Sequence, residues 1–507
     1  MNRVISISKI VIGLIILVMG LVYSQTGFRI TDPPDAPLRQ VAEFERSQGV
    51  LISYPFGIPE ELILLMSEEV IIYCLVQNSQ QSSAQNSMSS MGVDLENVEF
   101  VLGNVDTYWT QDYGPYFVVD ANHDMVAVDF EYNRPRPYDN QAPFKMSQLL
   151  DVPLVDSDVV HNGGNLMFDG YFTVASSTIV YTENGGIDVD QRMLDYFGAQ
   201  HHMTTQDPTG NYHQHINCWA KFLSPEKIMV ISVNESHSYY QDIEETAEFY
   251  ASQENCFGEP YKVYRVYTPG NEPYVNSFIL NDNIYVPAGL GQWDDEAILS
   301  FQEALPEYNV VGITADFMEP WLSTDGLHCR VLAIPDIEML QILHNPIDDQ
   351  EFPMDSYPVT AAIDDLSETG IISDSIVLHW KNSLLDDYQE IVMIPGSVEF
   401  EFLAEIPDQP VDTEVQYFIT ASDNSGRNER LPIAGYYSFS AIGGTPMESG
   451  DVNLDDSLNV LDIILIVNHI TNESHLTGYG LYLANMNGDS LINILDVIVL
   501  INTILNQ

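Results

Sequence analysis

The last 59 residues repeat themselves at an offset of 34, where GDVNLDDSLNVLDIILIVNHI is echoed by ANMNGDSLINILDVIVLINTI. A duplicated loop-and-helix unit cannot bury its apolar face alone, so the two copies are constrained to pack on each other. Oxygen-bearing side chains stand at loop positions 1, 3, 5, 9 and 12 of each copy. The first offers Asp451, Asn453, Asp455, Asn459 and Asp462, and the second Asn485, Asn487, Asp489, Asn493 and Asp496. A hard cation takes about six to eight converging oxygens, which makes calcium the expected cofactor. The alternative is that these residues only cap the apolar helices expected over Ile463–Ile470 and Val497–Leu505. Recurrence in one register argues for the cation. Position 6, where a tight turn favours Gly, is Asp456 in one loop and Ser490 in the other. The second loop opens on neutral Asn485, which predicts weaker binding there.

A chain of 507 residues has room for about three domains. Acids outnumber bases 74 to 17, for a formal charge of −57. That field repels phosphate backbones and anionic lipid, so nucleic acid is not an expected partner. At the other end, Arg3 and Lys9 precede an apolar run from Ile10 to Val22, followed by Tyr23 and Ser24. The run falls short of the roughly 20 residues a membrane span needs and fits a secretory signal over residues 1–24. A membrane anchor is the other reading. The expected location is secreted or cell-surface, with no stable span after cleavage. Cys74, Cys218, Cys256 and Cys329 are scattered without a CxxC pair. They make no disulfide scaffold, which leaves a thiol free for chemistry.

Between the ends, residues 25–354 mix short β-rich runs (Val70–Val76, Met125–Phe130, Ile228–Val233) with helical patterns such as Glu296–Leu305. Turn signals recur at Asn162-Gly163-Gly164-Asn165 and Asn184-Gly185-Gly186, so the class is α/β with many short strands. Residues 355–441 show no convincing helix. Their alternating runs, Ser375–Trp380 and Glu414–Ile419, predict a β-sandwich. A linker over 442–448 leads to the repeated module at 449–507.

Several polar clusters interrupt the large segment. They are Trp109-Thr110-Gln111-Asp112-Tyr113-Gly114-Pro115, Asn133-Arg134-Pro135-Arg136-Pro137, His215-Ile216-Asn217-Cys218-Trp219, Tyr274-Val275-Asn276-Ser277 and Leu327-His328-Cys329-Arg330. Each has a plain explanation alone. Asp112 reads as a turn residue, His215 as a satisfied core histidine, Arg134 and Arg136 as a solvated loop, and Cys218 as a small buried hydrophobe.

Together and in this order, the clusters resemble the pentein-fold guanidine-modifying enzymes, closest to bacterial peptidylarginine deiminases and agmatine deiminases. The resemblance implies a five-bladed α/β propeller, followed by an immunoglobulin-like module. It implies Cys329 as nucleophile, His215 as acid and base, Asp112 as a carboxylate clamp on the guanidinium, and Asn276 as an orienting residue. Arg134 and Arg136 would meet a substrate carboxylate, and Trp109 and Tyr212 would line the pocket. The terminal repeat resembles a dockerin, which implies a cohesin-type partner, with Val460-Leu461 and Ile494-Leu495 facing it.

Two positions depart from the family pattern. Asn217 stands where an Asp is expected as a second clamp, and Gln111 where Arg is usual. Losing one member of a buried ion pair costs about 3–5 kcal/mol, enough to lower or redirect activity. Three readings stay open at this point. One is a secreted hydrolase converting peptidyl arginine, especially C-terminal arginine, to citrulline. The others are a deiminase of agmatine or another small guanidine, and a catalytically degenerate binding protein. No cofactor is expected for the chemistry.

Overall fold

The computed structural model describes residues 31–507 apart from 317, 351–353, 410–412, 442–449, 454, 456, 472–474, 477, 488, 490 and 506–507. The expected signal segment and linker lie outside the described residues. Two compact units divide the chain, residues 1–339 and 340–507.

In the first unit the local chemistry is conventional. Strand Ile71–Val76 (IIYCLV) is β-branched-rich and nearly all buried, as a strand covered on both faces must be. Helix Val189–Phe197 starts where the Asp188 carboxylate accepts from the Gln191 N–H, and stops at Gly198, whose φ of 65° suits the left-handed cap.

One supersecondary unit recurs among the described residues. Tyr116–Val119 runs antiparallel to Met125–Tyr132, which, after helix Ala142–Leu150, is joined in parallel by Leu154–His161. The same antiparallel pair plus parallel third strand is built by Met167–Phe168, Thr173–Ser177 and His201–Thr205. It is built again by Ala220–Ser224, Lys227–Ser232 and Lys262–Tyr267. Phe278–Leu280, Asn283–Ala288 and Asn309–Thr314 repeat it. A fifth sheet draws on both ends of the unit. Leu332–Pro335 lies antiparallel to Ser47–Ser53, which is parallel to Ile71–Val76, itself parallel to Val98–Leu102. One core cluster ties this sheet to the fourth, with Val50, Ile72 and Cys74 packed in the same cluster as Phe278, Leu280 and Ile313. The expected strands near 70–76, 125–130 and 228–233 and the helix near 296–305 are all present, the helix as Asp294–Ala304.

In the second unit, Leu340–His344, Ser356–Asp365, Glu401–Pro407 and Ile394–Pro395 form one antiparallel sheet. Gln389–Val392, Val377–Asn382, Thr413–Ser422, Asn428–Leu431 and Tyr437–Ala441 form another. Alternate residues of both enter one core, including Val359, Ile363, Leu378, Tyr417 and Ile419. The β-rich segment therefore begins at Leu340, earlier than the composition change near 354, because Leu340–His344 pairs with Ser356–Asp365.

Helices Val460–Ile470 and Ile494–Leu505 follow the two terminal loops and share a core of Ile466, Val497 and Leu500. Both readings of the loop residues have a structural counterpart. Asn459 and Asn493 cap their helices by accepting from Leu461 and Leu495 N–H groups. The Asp462 and Asp496 carboxylates are fully buried and accept backbone N–H groups from across their loops. Among the described residues, no three acidic, His or Cys side chains gather at metal-holding distance. No helix among them is long and apolar enough to cross a membrane.

Candidate active site

Each of the five sheets of the first unit opens its first strand just after a tight segment, and those segments carry the polar clusters. Thr110–Tyr113 precedes Tyr116–Val119, Gly163–Asn165 precedes Met167–Phe168, and Ile216–Cys218 precedes Ala220–Ser224. Asn276 precedes Phe278–Leu280, and His328–Arg330 precedes Leu332–Pro335. Residues far apart in sequence thus occupy equivalent ends of a repeated unit, and several of these segments touch one another.

Cys329 is buried and held by amides. Asn276 donates from Nδ2 to Sγ at 3.4 Å, and its Oδ1 accepts the Cys329 N–H at 3.3 Å. Asn276 Nδ2 also reaches the Asn217 carbonyl at 3.0 Å. Asn217 points its own Nδ2 at Sγ, 3.8 Å away. Gly326 is required beside this group, since a Cβ there would lie 2.6 Å from Asn276 Oδ1. His215 faces Asp112 with Nδ1 3.8 Å from Oδ1. Gly164 closes over both, for a Cβ on it would sit 2.9 Å from His215 Nδ1 and 3.1 Å from Asp112 Oδ1.

Two of the buried polar atoms, Asp112 Oδ1 and His215 Nε2, have no hydrogen-bond partner among the described residues. A buried acceptor left open costs about 1–3 kcal/mol. Burial pushes the Asp112 carboxyl up from 3.8 to about 7, against the opposite pull of the Asn162 amide, Arg134 and Arg136. The Cys218 thiol and the His215 imidazole hold the Cys329 thiol below its ordinary value despite burial, while the Cys218 thiol is pushed well up. A thiol held down by its neighbours is more nucleophilic at neutral pH than an ordinary one. In contrast, the core thiol of Cys74 is raised to about 12 by burial.

The two arginines of the Arg-Pro-Arg segment are partly buried. Arg136 stacks 4.5 Å over the Trp109 ring and donates to the Tyr132 hydroxyl at 2.8 Å. Arg134 donates to the Asn133 carbonyl at 3.3 Å. Trp109 is fixed by its indole N–H on Asp325 at 2.9 Å. Tyr212 is different: it is 79% exposed, its ring against His213, so it does not form a buried wall.

Sequence reading passed over several contributors. Asp325 takes a fork from Arg330, both nitrogens at 2.9 Å, and Arg330, the last residue of the Cys329 turn, is itself buried. Cys218, read as a small hydrophobe, is a direct neighbour of the Cys329 thiol. Glu43, Lys221 and His328 form a largely buried charged group, with Lys221 Nζ 2.7 Å from Glu43 Oε1 and the His328 Nε2 on Glu43 Oε2. The signals were present as Lys221 in the otherwise apolar strand Ala220–Ser224, and Glu43 inside Val41–Phe44. A cavity of about 70 Å³ is lined by Glu43, Lys221, His328, Asn217 and Gln111 among apolar walls. It does not include Cys329, His215 or Asp112.

Residues 60–335, just over half of the chain, match the Porphyromonas-type peptidyl-arginine deiminases, and the chain belongs to that family. Residues 449–505 match the dockerin type I domain, so the repeated C-terminal segment is a dockerin. A relative from Streptococcus mutans, named as an agmatine deiminase, is 24% identical over 359 residues, 59% of this chain and 96% of its own length. One from Legionella pneumophila, with the same name, is 23% identical over 283 residues, 50% of this chain and 78% of its own. Among solved structures, the agmatine deiminase of Enterococcus faecalis aligns with a TM-score of 0.53 at 17% identity, covering 61% of this chain and 99% of its own. An arginine deiminase structure from Porphyromonas gingivalis aligns with a TM-score of 0.52 at 16% identity, covering 59% and 98%. These likenesses establish a deiminase fold of the pentein type for the first unit.

Proposed function

We propose that the first unit deiminates a guanidinium substrate at Cys329, and that a peptide arginine with a free carboxylate suits the site best. The supporting observation is that the depressed Cys329 thiol has the His215 imidazole and the buried Asp112 carboxyl as neighbours, with Asp112 Oδ1 left without a hydrogen-bond partner among the described residues. The five repeated sheets are the blades of a propeller, and the segments before their first strands face its centre.

Guanidinium is planar and stays cationic (pKa above about 12), so Asp112 binds it as the carboxylate. The Cys329 thiolate forms a bond to the guanidinium carbon, and the C–N bond to the leaving ammonia breaks as His215 delivers a proton. His215 then takes a proton from water, whose oxygen attacks the thiouronium carbon. The C–S bond breaks as the added hydroxyl loses its proton to solvent and becomes the C=O of citrulline, leaving the free thiolate. Arg134 and Arg136 pair with the substrate carboxylate, a role agmatine would leave empty. A smaller guanidine is the second reading, favoured by relatives named as agmatine deiminases.

The full chain incubated with a peptide ending in arginine is expected to release citrulline and ammonia, with no product from Cys329→Ala. Faster turnover of agmatine than of the peptide would select the second reading. Product from Cys329→Ala would remove Cys329 as nucleophile.

For the dockerin, we propose that calcium binds both loops and that the exposed pairs Val460-Leu461 and Ile494-Leu495 meet a cohesin-type partner, outside the cell. The donor set fits a hard cation, since each loop supplies only carboxylate and amide oxygens. The first loop, with Asp451, Asp455 and Asp462, carries three carboxylates against the second loop's two, Asp489 and Asp496. It is the tighter site.

A further inference from the structure

We propose that Glu43 and His328 are positioning residues that fix Asn217 as a hydrogen-bond donor to Cys329, so that the site is built for an amide at position 217. This rests on the reading of Cys329 as the nucleophile, and it replaces the view of Asn217 as a damaged clamp.

Glu43 is the anchor. One oxygen accepts from Lys221 Nζ at 2.7 Å and from the Ile279 N–H at 2.8 Å, and the other meets His328 Nε2. Burial alone would raise the carboxyl, but the Lys221 ammonium and the hydrogen bonds from Lys221 and His328 hold it down, so it is an anion. An anion against Nε2 requires the proton on that nitrogen. Burial and Lys221 both oppose a second proton on His328, and its ionisation is shifted down. The pair Glu43 and Lys221 is already neutral, so an added imidazolium would be an uncompensated buried charge. His328 Nδ1 therefore carries a lone pair.

That lone pair faces Asn217 Nδ2 at 3.0 Å. It can only accept, which turns the amide nitrogen toward it and aims the second N–H at Cys329 Sγ, 3.8 Å away. The Asn217 Oδ1 then faces the Cys218 thiol, 3.6 Å away. Asn276 supplies the other amide N–H to the sulfur. A carboxylate at 217 would set an acceptor against the His328 lone pair and a negative charge beside the thiolate. Both effects disfavour the ionised sulfur.

The test reads the thiol without turnover. Alkylation of Cys329 by iodoacetamide is followed across pH in the full chain by peptide mapping, with core Cys74 remaining unlabelled as the check that a variant is folded. The groups near the sulfur, namely His215, Cys218, Asp112, Asp325 and Lys221, are kept in every variant. Asn217→Asp is expected to raise the pH midpoint by about one unit, making alkylation at pH 7 roughly tenfold slower. His328→Leu is expected to raise it too, because the amide loses its acceptor. His328→Gln, whose side-chain oxygen can accept the Asn217 N–H, is expected to restore the low midpoint. An unchanged or lowered midpoint in Asn217→Asp overturns the proposal, as does identical behaviour of His328→Leu and His328→Gln. A chain that makes citrulline yet shows no shift loses only the positioning role. A chain that shows the shift but makes no citrulline loses the deiminase reading instead.

Discussion

Asp112 shows what the site costs at the scale of one residue. Its folded-state pKa of about 7 lies above the ordinary 3.8, so the folded protein holds the carboxyl proton more tightly than the unfolded chain does. The carboxyl's contribution to stability is then full below about pH 4 and is lost as the pH rises through 7. Asp112→Asn is predicted to raise Tm at pH 8, to leave it unchanged near pH 4, and to abolish guanidine turnover. Equal Tm gains at both pH values would remove the buried carboxyl as their source. Asp112, His215, Asn276 and Cys329 stand out in the sequence as proposed site residues because each is a chemistry-bearing residue set among aromatic or apolar neighbours. Glu43 and Lys221 showed only as charges inside apolar runs, and His328 and Asp325 gave no such signal, since a buried charge declares its role only through the partner beside it. Asn217 was legible as a departure, but the lone pair it answers to lies 111 positions along the chain.

At the scale of elements, strands and helices with strong periodicity appear where the sequence places them, and boundaries do so less well. Strand Leu340–His344 joins the second unit by pairing with Ser356–Asp365, and register of that kind is not written in composition. The short turns ahead of each first strand were visible only as polar clusters. Their shared position in a repeated sheet unit became clear once pairing was known. The terminal loops were the most legible element, because duplication displays the same donor pattern twice. Chelation of calcium from the full chain is predicted to strip amide-exchange protection from helices Val460–Ile470 and Ile494–Leu505 and to leave residues 31–339 protected. Retained protection in both helices would show that capping by Asn459 and Asn493 is sufficient without the ion.

For the whole molecule, the first unit brings together side chains from segments ahead of different sheets, a long-range arrangement that no local propensity encodes. The central claim is that these side chains make one pocket for a flat cation with Cys329 as its nucleophile. The most direct measurement compares alkylation of the folded full chain by 2-chloroacetamidine, a planar cation, and by neutral chloroacetamide, with the labelled cysteine mapped. The account predicts that the amidinium reacts faster, that its label falls on Cys329, and that Asp112→Asn abolishes the preference. Equal rates for the two reagents, or a label on Cys218, Cys256 or Cys74 in place of Cys329, would contradict it.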